Sequence, residues 1–143
     1  MNFTWMIVVL VLLCVTTATP VSANDSPLPQ IGPAPDFFLT TQDNTQLKLT
    51  DLRGKVVAVT FIFTTCRDTC PVLTAKLVGV QRKLAADISP NVAFVAISLT
   101  PKHDTPDVLK QWTDYIHPRL IGLTGTPEEI AAAAKAYKTY YKI

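Results

Sequence analysis

The stretch VVAVTFIFTTCRDTCP, residues 56–71, carries the fold class of this chain. Val56 to Phe63 is a run of β-branched and aromatic residues, the pattern of a central strand buried on both faces. Thr64, Thr65 and Cys66 then break the run, and Cys70-Pro71 opens a helix to about Ala86, with Leu73, Leu77, Val80 and Leu84 expected on one face. The two cysteines thus fall between a strand's carboxyl end and a helix start, where ligands sit in open α/β sheets.

The rest of the chain follows the same rhythm. Val92 to Leu99 (VAFVAISL) reads as a second buried strand. Thr105-Pro106-Asp107 opens another helix, with Thr105 as N-cap and Pro106 at its first position. Its apolar side is Val108, Leu109, Trp112 and Ile116. Leu120 to Leu123 is a short third strand. Thr126-Pro127-Glu128-Glu129 repeats the helix-start signature, with Glu129 completing a capping box, and Ile130, Ala134, Tyr137 and Tyr141 follow at helical spacing. Upstream, Phe37 to Thr40 and Leu47 to Leu49 are short strands around the polar turn Gln42-Asp43-Asn44, followed by a tight turn at residues 52–55. Alternating strands and helices require right-handed crossovers and a parallel sheet. The hairpin adds strands at one edge. The fold class is α/β. Trp112, Tyr137, Tyr140 and Tyr141 are expected to be packing residues, and Lys135, Lys138 and Lys142 a solvated face.

Of 143 residues, 48% are apolar and 17% charged, with mean hydropathy +0.26. The excess sits at the start: residues 1–23 contain no Lys, Arg, Asp or Glu, so all 13 basic and 11 acidic residues lie beyond them. Phe3 to Val15 is apolar except for Thr4, too short to cross a bilayer comfortably, which takes about 20 residues. Val21-Ser22-Ala23 suits signal-peptidase cleavage after Ala23. Residues 1–23 are therefore expected to be a signal peptide or else an N-terminal membrane anchor. Lipidation at Cys14 does not fit, because Leu13 is larger than the residue that usually precedes a lipidated cysteine. Residues 24–34 are Pro-rich, an exposed linker with polyproline character. Residues 35–143 are the expected domain, large enough for one core. A net charge of +2 gives no signal for nucleic acid.

Removing the leader takes Cys14 and both methionines with it, leaving Cys66 and Cys70 in an exported protein. Three intervening residues put both sulfurs on the same side of one helical turn. At a helix start, unpaired N–H groups and the dipole's positive end lower a thiol's pKa, and Arg67 adds to that. Asp68 is a candidate to orient a ligand. Two soft thiolates suit Cu(I), whereas structural zinc takes four protein ligands. A redox dithiol and a structural pair remain open on spacing alone. His103 follows the second strand and His117 ends the second helix; each reads first as a solvated loop histidine, with His103 better placed for the site.

Four blocks then carry a family resemblance: PDFFLTTQDNTQLKLTDLRGKVV (35–57), FIFTTCRDTCP (61–71), SLTPKHDTPDVLKQW (98–112) and LIGLTGTPEEIAAAAKAYKTYY (120–141). Together they resemble the SCO/SenC family. The resemblance implies a thioredoxin-like domain, exported and often membrane-tethered on the periplasmic or equivalent side. It implies copper as the metal, Cys66 and Cys70 as ligands, and a metallochaperone rather than a turnover enzyme. The implied partner is the copper-receiving subunit of cytochrome c oxidase, whose copper A centre the family helps to build. A thiol–disulfide role through Cys66 and Cys70, with a thiol reductant, is the alternative. In that family a histidine ligand follows the Tyr-Tyr block, then two strands and a last helix. Neither His103 nor His117 matches that position, so the sequence resembles the family's domain without its C-terminal strands, helix and histidine.

Overall fold

The computed structural model describes residues 29–66, 69–117 and 119–142. The leader 1–23 with Cys14, the start of the linker, and the candidates Arg67 and Asp68 lie outside the described residues. Residues 29–34 are exposed and carry no helix or strand. The unit Pro33–Ile143 carries every element below.

The strands are β1 (Phe38–Thr41), β2 (Gln46–Lys48), β3 (Val56–Ile62), β4 (Val92–Ser98) and β5 (Leu120–Thr124), and the helices α1 (Thr69–Lys83), α2 (Pro106–Ile116) and α3 (Pro127–Ala136). They form one sheet of order β2-β1-β5-β4-β3. β3, β4 and β5 run parallel, and β1 joins antiparallel to both β2 and β5. The parallel half and the edge hairpin are those expected from the sequence. Asn44 takes a left-handed turn (φ 58°) that closes the hairpin. Gln42, within the polar turn, acts as a strand residue: its side-chain Oε1 accepts from Gly122 N at 2.8 Å, and its own N–H donates to Gly122 O at 3.0 Å.

Side-chain alternation along the strands builds two core layers. Ala93, Val95, Ile97 and Leu99 pack on one face with Leu39, Leu123, Ile130 and Ala134 of α3. Phe94 and Ala96 pack on the other with Ile62, Leu109, Leu120 and the flanks of α1 and α2. β4 is thus buried on both faces, and each of its buried Val, Ile and Phe side chains contributes about 1.5–3 kcal/mol. Gly122 lets α2 lie close to β5, since a Cβ there would stand 3.0 Å from Thr113 Cγ2.

Three expectations need correction. β3 is not central: among the described residues it pairs only with β4, and most of it is half-buried. Its β-branched run reflects a strand covered on its faces yet placed at the sheet's edge, and composition does not separate the two. On α1, Leu73 and Val80 are 47% and 53% exposed, while Thr74, Val78 and Gln81 are buried. Leu77 and Leu84 of the expected face do pack on the core, and the buried hydroxyl of Thr74 is satisfied within the helix, donating to Cys70 O at 2.7 Å. Tyr140 is 90% exposed rather than packed. Tyr137 does pack, against Phe37 and Phe61, and its hydroxyl donates to Pro35 O at 2.9 Å.

Both predicted helix caps form. Thr105 Oγ1 accepts from Val108 N at a long 3.5 Å. At α3 the box is complete: Thr126 Oγ1 accepts from Glu129 N at 3.2 Å, and Glu129 Oε2 accepts from Thr126 N at 2.8 Å. Thr126→Ala is therefore expected to cost about 1 kcal/mol, with Thr126→Ser close to wild type. Urea denaturation checks it, and an equal loss in both variants would show that the hydroxyl is not the cause.

Candidate metal centre

β3 ends at Ile62, and the ladder to β4 runs one bond further, from Leu99 N to Ile62 O at 2.8 Å. The chain then turns, closed by Cys66 N donating to Phe63 O at 3.1 Å. α1 starts at Thr69, so Cys70 sits in its first turn. Cys66 and Cys70 are half-buried thiols, not a disulfide. The Cys70 N–H donates to Cys66 Sγ at 3.4 Å. The geometry thus brings both predicted sulfur donors to one helix start, with an amide of that first turn aimed at Cys66. Phe63, Val72 and Leu73, close in sequence on either side, expose apolar surface.

The expected lowering of thiol pKa does not hold for Cys70. Burial pushes its thiol up, the neighbouring Cys66 side chain pushes it further, and the Phe63 backbone only partly offsets them. The desolvation cost of ionising this half-buried thiol, with Cys66 beside it, outweighs the backbone hydrogen bonds that favour the thiolate. Alkylation of Cys70 by iodoacetamide should therefore be slow at neutral pH. Its rate should still climb beyond about pH 8.5, the ordinary thiol value. Mass-spectrometric rates against pH check this, and a plateau reached below that value would overturn it.

Neither histidine joins the cysteines. Among the described residues, no group of three or more His, Cys, Asp or Glu side chains is arranged to hold a metal. His103 Nδ1 donates instead to Asp104 Oδ1 at 2.8 Å, with the imidazole more than half exposed. His117 caps the end of α2, and its Nδ1 accepts from Arg119 N at 3.2 Å.

The residue that sequence reasoning passed over is Asp104. It is fully buried. Its Oδ2 accepts from Thr64 N (3.1 Å), Ser98 Oγ (2.6 Å) and Thr100 Oγ1 (2.9 Å). Its Oδ1 accepts from Thr64 Oγ1 (2.5 Å) as well as from His103. Burial alone would raise its pKa. The hydrogen bonds from Ser98, Thr64 and His103 outweigh that and hold the carboxyl below its usual range. The signal in the sequence was three hydroxyls, Ser98, Thr100 and Thr64, at the ends of two adjacent strands. Their partner stood in the loop before Thr105-Pro106.

Comparison with known proteins agrees with this architecture. The SCO1/SenC family model matches residues 28–143. SenC of Rhodobacter capsulatus is 38% identical over 107 residues, covering 75% of this chain and 48% of SenC. The curated relatives are longer, and the chain spans about a third to a half of their length. The copper-bound structure of Bradyrhizobium japonicum ScoI superposes with TM-score 0.73 at 32% identity, over 78% of this chain and 70% of that one. BsSco, described with a disulfide switch and as a member of the Sco family of cytochrome c oxidase assembly proteins, gives TM-score 0.65 at 31% identity, over 76% and 66%. The fold is thus the thioredoxin-like one. Strand, cysteine turn and helix lie inside the span matched by the family model, and the chain belongs to the SCO1/SenC family.

Proposed function

We propose that this chain is a copper-handling assembly factor whose cargo is Cu(I), held by Cys66 and Cys70 and passed to a copper-receiving subunit of cytochrome c oxidase during assembly of its copper A centre. One observation carries the reading: two half-buried thiols share one helix start at the carboxyl end of a parallel strand, in a chain of a family with copper-bound members. The donor set fits the cargo, because soft thiolates select Cu(I) over hard cations. Loading displaces both thiol protons to solvent, so uptake is expected to weaken as pH falls. Release is ligand exchange: incoming sulfur or nitrogen donors on the acceptor replace the two thiolates, with no change in copper's oxidation state. An exported location, periplasmic or anchored at the membrane, is proposed from the leader at 1–23. Among the described residues no helix is long and apolar enough to cross a membrane.

A thiol–disulfide role is the second reading, favoured by the contact between Cys70 N and Cys66 Sγ, which brings the two residues together. In it, Cys66 and Cys70 give two electrons and two protons to a partner disulfide and become a disulfide themselves, to be restored by a thiol reductant. Copper stoichiometry measured beside the dithiol's reduction potential separates the two readings. One Cu(I) per chain is the expected result. A potential near thioredoxin's, about −270 mV, without copper uptake would overturn the copper reading in favour of the second.

A further inference from the structure

We propose that Asp104 is a positioning residue for the cysteine loop: its buried carboxylate latches Thr64 by both amide and hydroxyl and so fixes where β3 delivers Cys66. The inference rests on the copper reading and adds to it a group that touches neither sulfur nor metal. A carboxylate taken fully out of water is costly unless every lone pair finds a donor. Here the donors come from two separate stretches of chain. Ser98, Thr100 and His103 belong to the carboxyl end of β4 and the loop that carries Asp104 itself. Thr64 comes from 40 residues upstream and supplies two of the bonds.

A staple for the loop between β4 and α2 would need only the local donors. The two bonds to Thr64 do something else. They tie the first turn after β3, two residues before Cys66, to the end of the neighbouring strand. The turn from Phe63 to Cys66 is closed by the bond from Cys66 N to Phe63 O, and holding Thr64 at two atoms inside that turn fixes the direction in which the chain leaves β3 toward Cys66. Groups that orient a metal's ligands without touching the metal commonly change affinity by roughly 10–100-fold.

The test uses the full chain with Cys14→Ala throughout, and the variants Asp104→Asn, Thr64→Val and Thr64→Ser. Asparagine keeps the shape but replaces one acceptor oxygen with a donor. Valine removes only the hydroxyl bond, and serine keeps it. Cu(I) affinity is read by competition with a chromophoric chelator. Alkylation rates of Cys66 and Cys70 are read against pH at a temperature where each variant is folded. Asp104→Asn and Thr64→Val are expected to weaken Cu(I) roughly 10–100-fold and to shift the alkylation profile, with Thr64→Ser close to wild type. An Asp104→Asn protein that loses thermal stability yet keeps wild-type affinity and alkylation would reduce Asp104 to a structural staple and overturn the proposal. Should Asp104→Asn fail to fold, the valine and serine variants decide, and equal behaviour of the two overturns it. Should wild type itself take up no Cu(I), the copper reading falls. The alkylation contrast between valine and serine then still decides the latch, equal rates overturning it.

Discussion

Cys66→Ser and Cys70→Ser, each in a Cys14→Ala background, are expected to lower Cu(I) affinity by more than about 100-fold, beyond what loss of a merely orienting group costs. Serine is nearly the size of cysteine but offers a hard oxygen that Cu(I) binds poorly. Each substitution leaves one thiolate where the site has two. Folding should survive both. In Cys66→Ser the new hydroxyl oxygen can still accept from the Cys70 N–H that now reaches Cys66 Sγ, and position 70 is only half-buried. Competition titration against a chromophoric Cu(I) chelator, under anaerobic reducing conditions, measures the effect. Wild-type affinity in both single variants would remove Cys66 and Cys70 as the copper ligands. The Cys14→Ala background matters because the chain has three cysteines, and a leader thiol would otherwise contribute binding of its own.

The second large effect is on stability. Leu123 is fully buried and stands in register with Ile97 of β4 on one side and Thr41 of β1 on the other. It therefore sits where the parallel and antiparallel halves of the sheet meet, packed in the core layer that also holds Leu39, Ile97 and Ile130. Leu123→Ala is expected to cost about 2–5 kcal/mol, lost transfer energy plus an unfilled cavity between sheet and α3. Domains of this size have only about 5–15 kcal/mol in total, so Tm should fall by about 8–20 °C. Val80→Ala is the control, since Val80 is more than half exposed on α1, and surface changes stay within about 0.5 kcal/mol. Calorimetry of both checks it. Equal losses in the two would mean that β5 is not the join the register implies.

Much of this was legible beforehand, for a physical reason. Hydrophobic period separates strand from helix, and caps mark where helices begin, because both depend on residues close together in the chain. Thr126 and Glu129 announced α3, and the residues that close its cap are the ones the spacing named. VAFVAIS announced a strand buried on both faces, and β4 is that strand. The cysteine pair was legible for the same reason: four residues apart at a strand–helix junction, both fall at the start of α1.

What escaped lay in contacts between distant segments. β3 and β4 have nearly the same composition, yet one is an edge and the other central, because strand order is set by pairing and not by local sequence. The packed side of α1 includes Thr74 and Gln81 beside Val78, polar residues that an apolar period does not pick out. The pKa of Cys70 followed burial, which no spacing reports, rather than the helix start that spacing does report. Asp104 is the sharpest case. In the sequence it is one acidic residue in a polar loop. In the fold it is buried, ionised, and bound to a threonine 40 residues away beside a candidate copper ligand. Residue order alone specified the elements, their caps and the two sulfurs, since these follow from backbone propensity and short-range period. What surrounds the sulfurs was settled only when the sheet closed, since desolvation and hydrogen bonding depend on which distant atoms it brings within about 3 Å.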